Sequence, residues 1–112
     1  MRILLMFDLP SIEDKEKKEY QKFHKELIRN GYFMIQFSVY CKVIHFKSKM
    51  ESEEEKIKKF LPSDGNVRFL VITEKQYSDM KLLLGNQKIN EIYNNSNTVS
   101  YTHLRAHETG RN

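Results

Sequence analysis

The chain has 112 residues, 39% of them hydrophobic and 30% charged, with a net charge of +4 and one cysteine. That length suits one domain with a modest core, and no apolar run approaches the roughly 20 residues a membrane-spanning helix needs. A single cysteine excludes an internal disulfide and fits a reducing cytoplasm, while the basic balance leans toward anionic partners.

Residues 2–8, RILLMFD, predict a buried strand. Ile3, Leu5 and Phe7 alternate to one side, and Leu4, Met6 and Asp8 to the other. Asp8 and Pro10 interrupt the apolar stretch and no small-residue cleavage site follows, so the opening lacks a secretory pattern. Pro10 ends the strand, and Ser11, three before Asp14, makes a capping-box-like start for a helix over about 12–30. Tyr20, Phe23, Leu27 and Ile28 recur on its core face, and Asn30-Gly31 supplies the stop. Residues 32–46 are aromatic and β-branched, and predict two strand segments with a tight break or bulge near Gln36–Ser38. Ser48 with Glu51 caps a second helix, about 49–60, with Met50, Ile57, Phe60 and Leu61 apolar. PSDG at 62–65 is a turn, and NVRFLVIT at 66–73 is a further strand. Thr73 with Gln76 starts a short helix through Tyr77, Met80, Leu83 and Leu84, closed by Gly85. Residues 86–97 are polar and Asn-rich, and 98–101 add a last short strand.

The order β-α-β-β-α-β predicts an α+β, ferredoxin-like sandwich: one antiparallel sheet, two helices on one face, and a short C-terminal extension. Strands 2–7 and 67–72 are apolar on both faces. Two helices on one face leave the other bare, an apolar patch of several hundred Å² that monomers rarely tolerate. A second copy of the chain in a two-fold dimer is the simplest cover.

Asp8 at the end of a greasy strand has two readings. It ends the strand and hydrogen-bonds its own turn, or it meets its mate across the two-fold interface. Two converging carboxylates, waters and a substrate phosphate suit Mg2+, which keeps much of its hydration and needs few protein ligands. A metal there activates water and neutralises charge on a scissile phosphate. Burial beside Leu4 and Met6 would favour the neutral acid, a preference the cation reverses.

Lys15, Lys18, Lys22, Lys25 and Arg29 recur at steps of 3 and 4, within roughly 80° of the first helix's circumference. A row of cations matches the charge repeat of a nucleic-acid backbone; it is equally the solvated face of an amphipathic helix. Glu19 and Glu26 flank it. EEEK at 53–56 reads as a solvated face, His24 as a packing residue, and Cys41 as a buried thiol. SYTHLRAHETGRN at 100–112 is unlike the rest and resembles a translated adaptor or vector tail. Residues 1–99 are therefore expected to be the domain and 100–112 a non-native tail without function, despite His103 and His107 at metal-pair spacing.

MRILLMFDLPS, then EYQKFHKELIRNGY in a lysine-rich helix, then MIQFSVYCK, then VRFLVITEKQY, in that order over residues 1–99, resemble the Cas-two family of CRISPR-associated proteins, in a type II-like form. The resemblance implies a ferredoxin-like homodimer packed through its sheets. It implies a role in CRISPR spacer acquisition, where the dimer bridges two Cas-one integrase dimers and helps hold incoming duplex protospacer DNA. It also implies a metal-dependent endonuclease, usually with Mg2+, that cuts RNA or duplex DNA. The family's aspartate at the end of the first strand matches Asp8, and its S-V-F/Y segment matches Ser38–Tyr40. Two departures stand out: His24 and neighbouring lysines occupy positions where arginines are common, and the final strand is altered near Thr98. Competing readings are a non-catalytic nucleic-acid-binding scaffold and a toxin-like ribonuclease or small-ligand regulator on the same fold. The last is weakened by the absence of a His/Glu/Lys catalytic set and of a Gly-rich loop.

Overall fold

A computed structural model describes residues 1–85 of the chain. The elements run β1 (Arg2–Asp8), α1 (Asp14–Arg29), β2 (Phe33–Gln36), β3 (Val39–Val43), α2 (Lys49–Lys58), β4 (Asn66–Ile72) and α3 (Glu74–Asp79). The strands form one antiparallel sheet in the order β2-β3-β1-β4, the expected ferredoxin-like arrangement. The first strand of the chain is thus internal, flanked by β3 and β4, while β2 and β4 are the outer strands among the described residues. The expected strand at 98–101 and tail at 100–112 lie outside the described residues.

Alternation along β1 builds the main core. Ile3, Leu5 and Phe7 pack with Phe23 and Leu27 of α1 and Ile57 of α2. The Phe7 ring meets Phe23 edge-on at 5.1 Å and stacks on Tyr40 at 5.5 Å. The buried Tyr40 hydroxyl bonds to His24 Nδ1, so His24 is a packing residue with a satisfied ring nitrogen. Burial, reinforced by nearby Tyr20, pushes the Tyr40 phenol up to about 12.

Several local expectations are corrected. The first helix is capped by Glu13, not Ser11: the Glu16 carboxylate accepts from the Ile12 and Glu13 backbone N–H groups at 3.0 Å each. A carboxylate three residues in reaches back further than a serine two residues out. Ser48 does precede α2, yet its side chain makes no cap bond. Thr73 and Gln76 form the full reciprocal capping box of α3. That helix ends at Asp79 rather than continuing to Leu84, because past Tyr77 nothing is buried: Leu83 and Leu84 are 90% and 92% exposed.

The second sheet face is not left bare. Leu4, Phe33 and Cys41 form a smaller core with Tyr77 of α3, joined by Ile35 and Ile72. Buried Arg2 fixes this cover. Its guanidinium lies 3.8 Å over the Tyr77 ring, and its Nε donates to Glu74 at 3.0 Å. The chain's own α3 therefore seals part of the face expected to need a second copy. Leu70, 48% exposed, marks where that cover stops.

The 53–56 acidic run is not uniformly solvated. Glu53 is 3% exposed, accepting from Lys42 Nζ at 2.8 Å and from the Tyr32 hydroxyl at 3.2 Å. Lys42 also donates to the Asn30 carbonyl at 2.8 Å, so one lysine ties α2, β3 and the end of α1 together. Burial alone raises the Glu53 carboxyl, but the Lys42 bond and charge outweigh it and hold the group below the usual carboxylate range.

Candidate functional site

Asp8 stands at the C-terminal end of β1, on the face opposite the two long helices. Burial fades along that face from Leu4 through half-buried Met6 to exposed Asp8. The expected burial of this carboxylate within the subunit is therefore overturned. The strand ends beyond the reach of α3, and among the described residues nothing else covers Asp8.

Backbone contacts place Asp8 firmly. The Phe7 N–H donates to the Ser38 carbonyl at 3.0 Å, which holds the tip of the β2–β3 hairpin against the strand end. Ser38 itself adopts a left-handed φ of 65°, uncommon for a residue with a side chain. On the other side lies Gly65, with φ of +101°; a Cβ there would sit 2.6 Å from the Asp8 carbonyl oxygen. Only glycine fits this approach, so the PSDG turn doubles as a cradle for the Asp8 backbone.

Asp8 is directly opposite Asn66 on β4, and Met6 is opposite Arg68. Asn66 and Arg68 therefore share the Asp8 face, and both are exposed. Sequence reading passed over them, because NVRFLVIT shows only alternation and the facing of Asn66 and Arg68 follows from the β1–β4 register. Among the described residues the Asp8 carboxylate makes no hydrogen bond or ion pair. No group of three or more His, Cys, Asp or Glu suited to a metal occurs among them either. One exposed carboxylate does not make a protein cage, but it fits Mg2+, which takes one or two carboxylates and fills its shell with water and substrate phosphate.

The five basic residues Lys15, Lys18, Lys22, Lys25 and Arg29 are all exposed on one face of α1. They line one shallow depression with Lys17 and Gln21, apart from Lys15. Arg29 pairs with Glu26 at 3.3 Å; the four lysines have no ion pair among the described residues. From Lys15 to Arg29 the row spans about 21 Å, or about six phosphate steps along one strand of a duplex. The row lies on the outer surface of α1, whereas Asp8 points from the far side of the sheet. The fold thus separates the two predicted sites into different layers.

A family model described as CRISPR associated protein Cas2 matches residues 1–80. A relative from Campylobacter jejuni is 48% identical over 107 residues, which covers 96% of this chain and 75% of the relative. Another, from Ligilactobacillus salivarius, is 50% identical over 96 residues, covering 86% of this chain and 94% of the relative. Both are named CRISPR-associated endoribonuclease Cas2. The crystal structure of Streptococcus pyogenes Cas2 at pH 6.5 superposes with a TM-score of 0.58 at 14% identity, covering 74% of this chain and 99% of that one, a likeness of fold.

Proposed function

This chain belongs to the CRISPR-associated Cas2 family, and from that premise we propose that it is an endonuclease of the CRISPR system that cuts phosphodiester bonds, RNA foremost, at Asp8 with Mg2+. The observation that carries the reading is the placement of Asp8. Ser38 holds the Phe7 N–H just before it and Gly65 lies against its carbonyl, while its carboxylate is exposed and makes no bond among the described residues. A carboxylate serving only to end a strand would bond its own turn, and this one does not. Mg2+ held there supplies charge neutralisation at the phosphate and a polarised water. The chain's own part is to hold the strand end in place through its backbone and to leave the carboxylate exposed there.

In this reading the functional unit is a homodimer in which the uncovered half of the second face, around Leu70 and Asp8, meets a second copy. The test is cleavage of an end-labelled single-stranded RNA by the purified protein with Mg2+ and with excess chelator. Internal cuts that appear only with Mg2+ are expected. Equal cutting under chelator would remove the metal from the reading, and absence of cutting in both would remove the nuclease.

A second reading is favoured by a different observation, the separation of the lysine row from Asp8. A helix face that binds duplex DNA without touching a cleavage site suits a scaffold, one that bridges Cas-one integrase dimers around a protospacer during spacer acquisition. Reversing Lys18 and Lys22 to Glu is expected to weaken duplex binding at least tenfold in low salt and to flatten its salt dependence. RNA cleavage at Asp8 should persist in the same variant. An unchanged salt slope in filter-binding or anisotropy titrations would reduce the row to a solvated face.

A further inference from the structure

The tip of the β2–β3 hairpin carries an aromatic ring where turns favour polar residues. Phe37 is 75% exposed, between Gln36 and Ser38. One face of its ring stacks on Tyr20 of α1, with centroids 5.9 Å apart and planes 19° from parallel. Tyr20 in turn meets Phe7 edge-on at 6.0 Å, and Phe7 stacks on Tyr40 in the core. The hairpin tip is pinned to β1 by the bond from the Phe7 N–H to the Ser38 carbonyl. Phe37 is thus the outer end of a fixed aromatic series, and its other face is open among the described residues. Because Tyr20 belongs to α1, the stack lies on the helix side of the sheet, the layer opposite the uncovered strip around Leu70.

Charge is divided about this stack. At 100° per residue, Lys17 and Gln21 lie on the flank of Tyr20 toward the lysine row, and Glu16 and Glu19 on the other. Lys17 and Gln21 line the same shallow depression as Lys18, Lys22 and Lys25, so cations extend from the row to the turn that carries Tyr20. Lys17 has no ion pair among the described residues. The two glutamates are already bonded: Glu16 accepts from the Ile12 and Glu13 N–H groups, and Glu19 from the Ser63 hydroxyl at 2.8 and 2.9 Å. An open, flat ring beside unpaired cations matches the two parts of a single-stranded nucleic acid, a base with a free π-face and a phosphate. An apolar protein segment has no use for the cations, and a duplex keeps its bases stacked on one another. We propose that Phe37 is a base-stacking residue for single-stranded RNA. An unpaired base extends the Tyr20–Phe37 stack, while the backbone phosphates beside it face Lys17 and the depression. The choice of RNA rests on the nuclease reading, whereas the stacking itself does not need Asp8.

The test therefore reads binding with chelator present, where no metal-dependent cleavage occurs. The probes are a short fluorescent single-stranded RNA and an abasic ribose-phosphate strand of equal length, followed by anisotropy. Phe37→Ala is expected to weaken RNA binding about tenfold or more, the size of a lost base–aromatic stack, and to leave binding of the abasic strand unchanged. Phe37→Leu, which keeps Tyr20 covered but lacks the ring, should lose as much RNA affinity. The chain has no tryptophan, so Phe37→Trp adds a unique fluorophore. That variant should bind RNA at least as well as wild type, and its indole emission should be quenched by RNA but not by the abasic strand. Quenching without any Mg2+-dependent cleavage by wild type would sink the nuclease reading and leave the stacking. Cleavage by wild type with unquenched indole at saturating RNA would do the reverse. The proposal is also overturned by no RNA binding at all, by full affinity in Phe37→Leu, by an equal loss on the abasic strand, or by a halved mass of Phe37→Leu in light scattering. The last would assign the ring to a second copy of the chain instead.

Discussion

Asp8→Asn is expected to abolish Mg2+-dependent cleavage of RNA, a loss of at least a thousandfold, while leaving fold, mass and nucleic-acid binding unchanged. The amide keeps the size of the carboxylate but presents no charge to a divalent cation, and Asp8 is the one carboxylate that each subunit's described strands bring to this face. The loss corresponds to about 4 kcal/mol of transition-state stabilisation, a reasonable toll for removing the anchor of a catalytic metal. Little else should change, because the Asp8 side chain is exposed and makes no bond among the described residues, and the contacts that place it run through the backbone of Phe7, Asp8 and Leu9. The check is wild type and variant side by side on the same RNA, with a Mg2+ titration and a chelator control, and with light scattering on both. Both proteins should show twice the monomer mass. Equal activity in the two would move the chemistry elsewhere, and a monomeric wild type would remove the shared interface.

The largest stability effect is expected at Glu53. Glu53→Ala should cost about 3 kcal/mol at neutral pH, because it strands Lys42 with its charge half-buried and leaves the Tyr32 hydroxyl without its acceptor. For a domain of this size that is a fall in Tm on the order of 10–20 °C. Glu53→Gln keeps the volume and one acceptor oxygen, so its cost should be smaller. The pH dependence has a definite sign. The folded carboxyl lies below its unfolded value, so the folded state binds the proton less well than the unfolded chain does. The contribution is therefore complete above the usual carboxylate range and disappears as pH falls through the depressed folded value. Glu74, pushed up by burial but held down by Arg2 and the N-terminal ammonium, follows the same sign. Denaturant titrations of wild type and Glu53→Gln at neutral and acid pH should show the gap closing at the acid end. A gap independent of pH would mean that shape, not charge, matters at this position.

Where one-dimensional pattern sets structure, the sequence was legible. The alternation of Ile3, Leu5 and Phe7 against Leu4, Met6 and Asp8, the helical spacing of Tyr20, Phe23 and Leu27, and the Thr73/Gln76 box all appear as read, whereas Ile28, read onto the same helix face, is 47% exposed. The break before Val39 also appears, though as a two-residue turn with a bulge between Met34 and Gln36. What stayed hidden depends on partners distant in the chain. Glu53 looks like any surface glutamate until Lys42 is placed opposite it, and Arg2 looks like a strand-end charge until Tyr77 is folded over it. The cover supplied by α3 was missed for the same reason, since only Tyr77 of that helix is buried. At the site, the position of Asp8 on β1 was legible, but Arg68 and the Gly65 cradle depend on the β1–β4 register.

The internal place of β1 also governs how the protein must come off the ribosome. The strand made first needs β3 and then β4 as neighbours, and its Arg2 waits for Glu74, 72 residues later. Until β4 emerges, a nascent chain carries one of its most apolar segments with an open edge and a partly naked face. Synthesis that pauses in the Asn30–Gly65 region should thus produce the species most in need of a chaperone, and a chain interrupted before Ile72 should be cleared rather than accumulate.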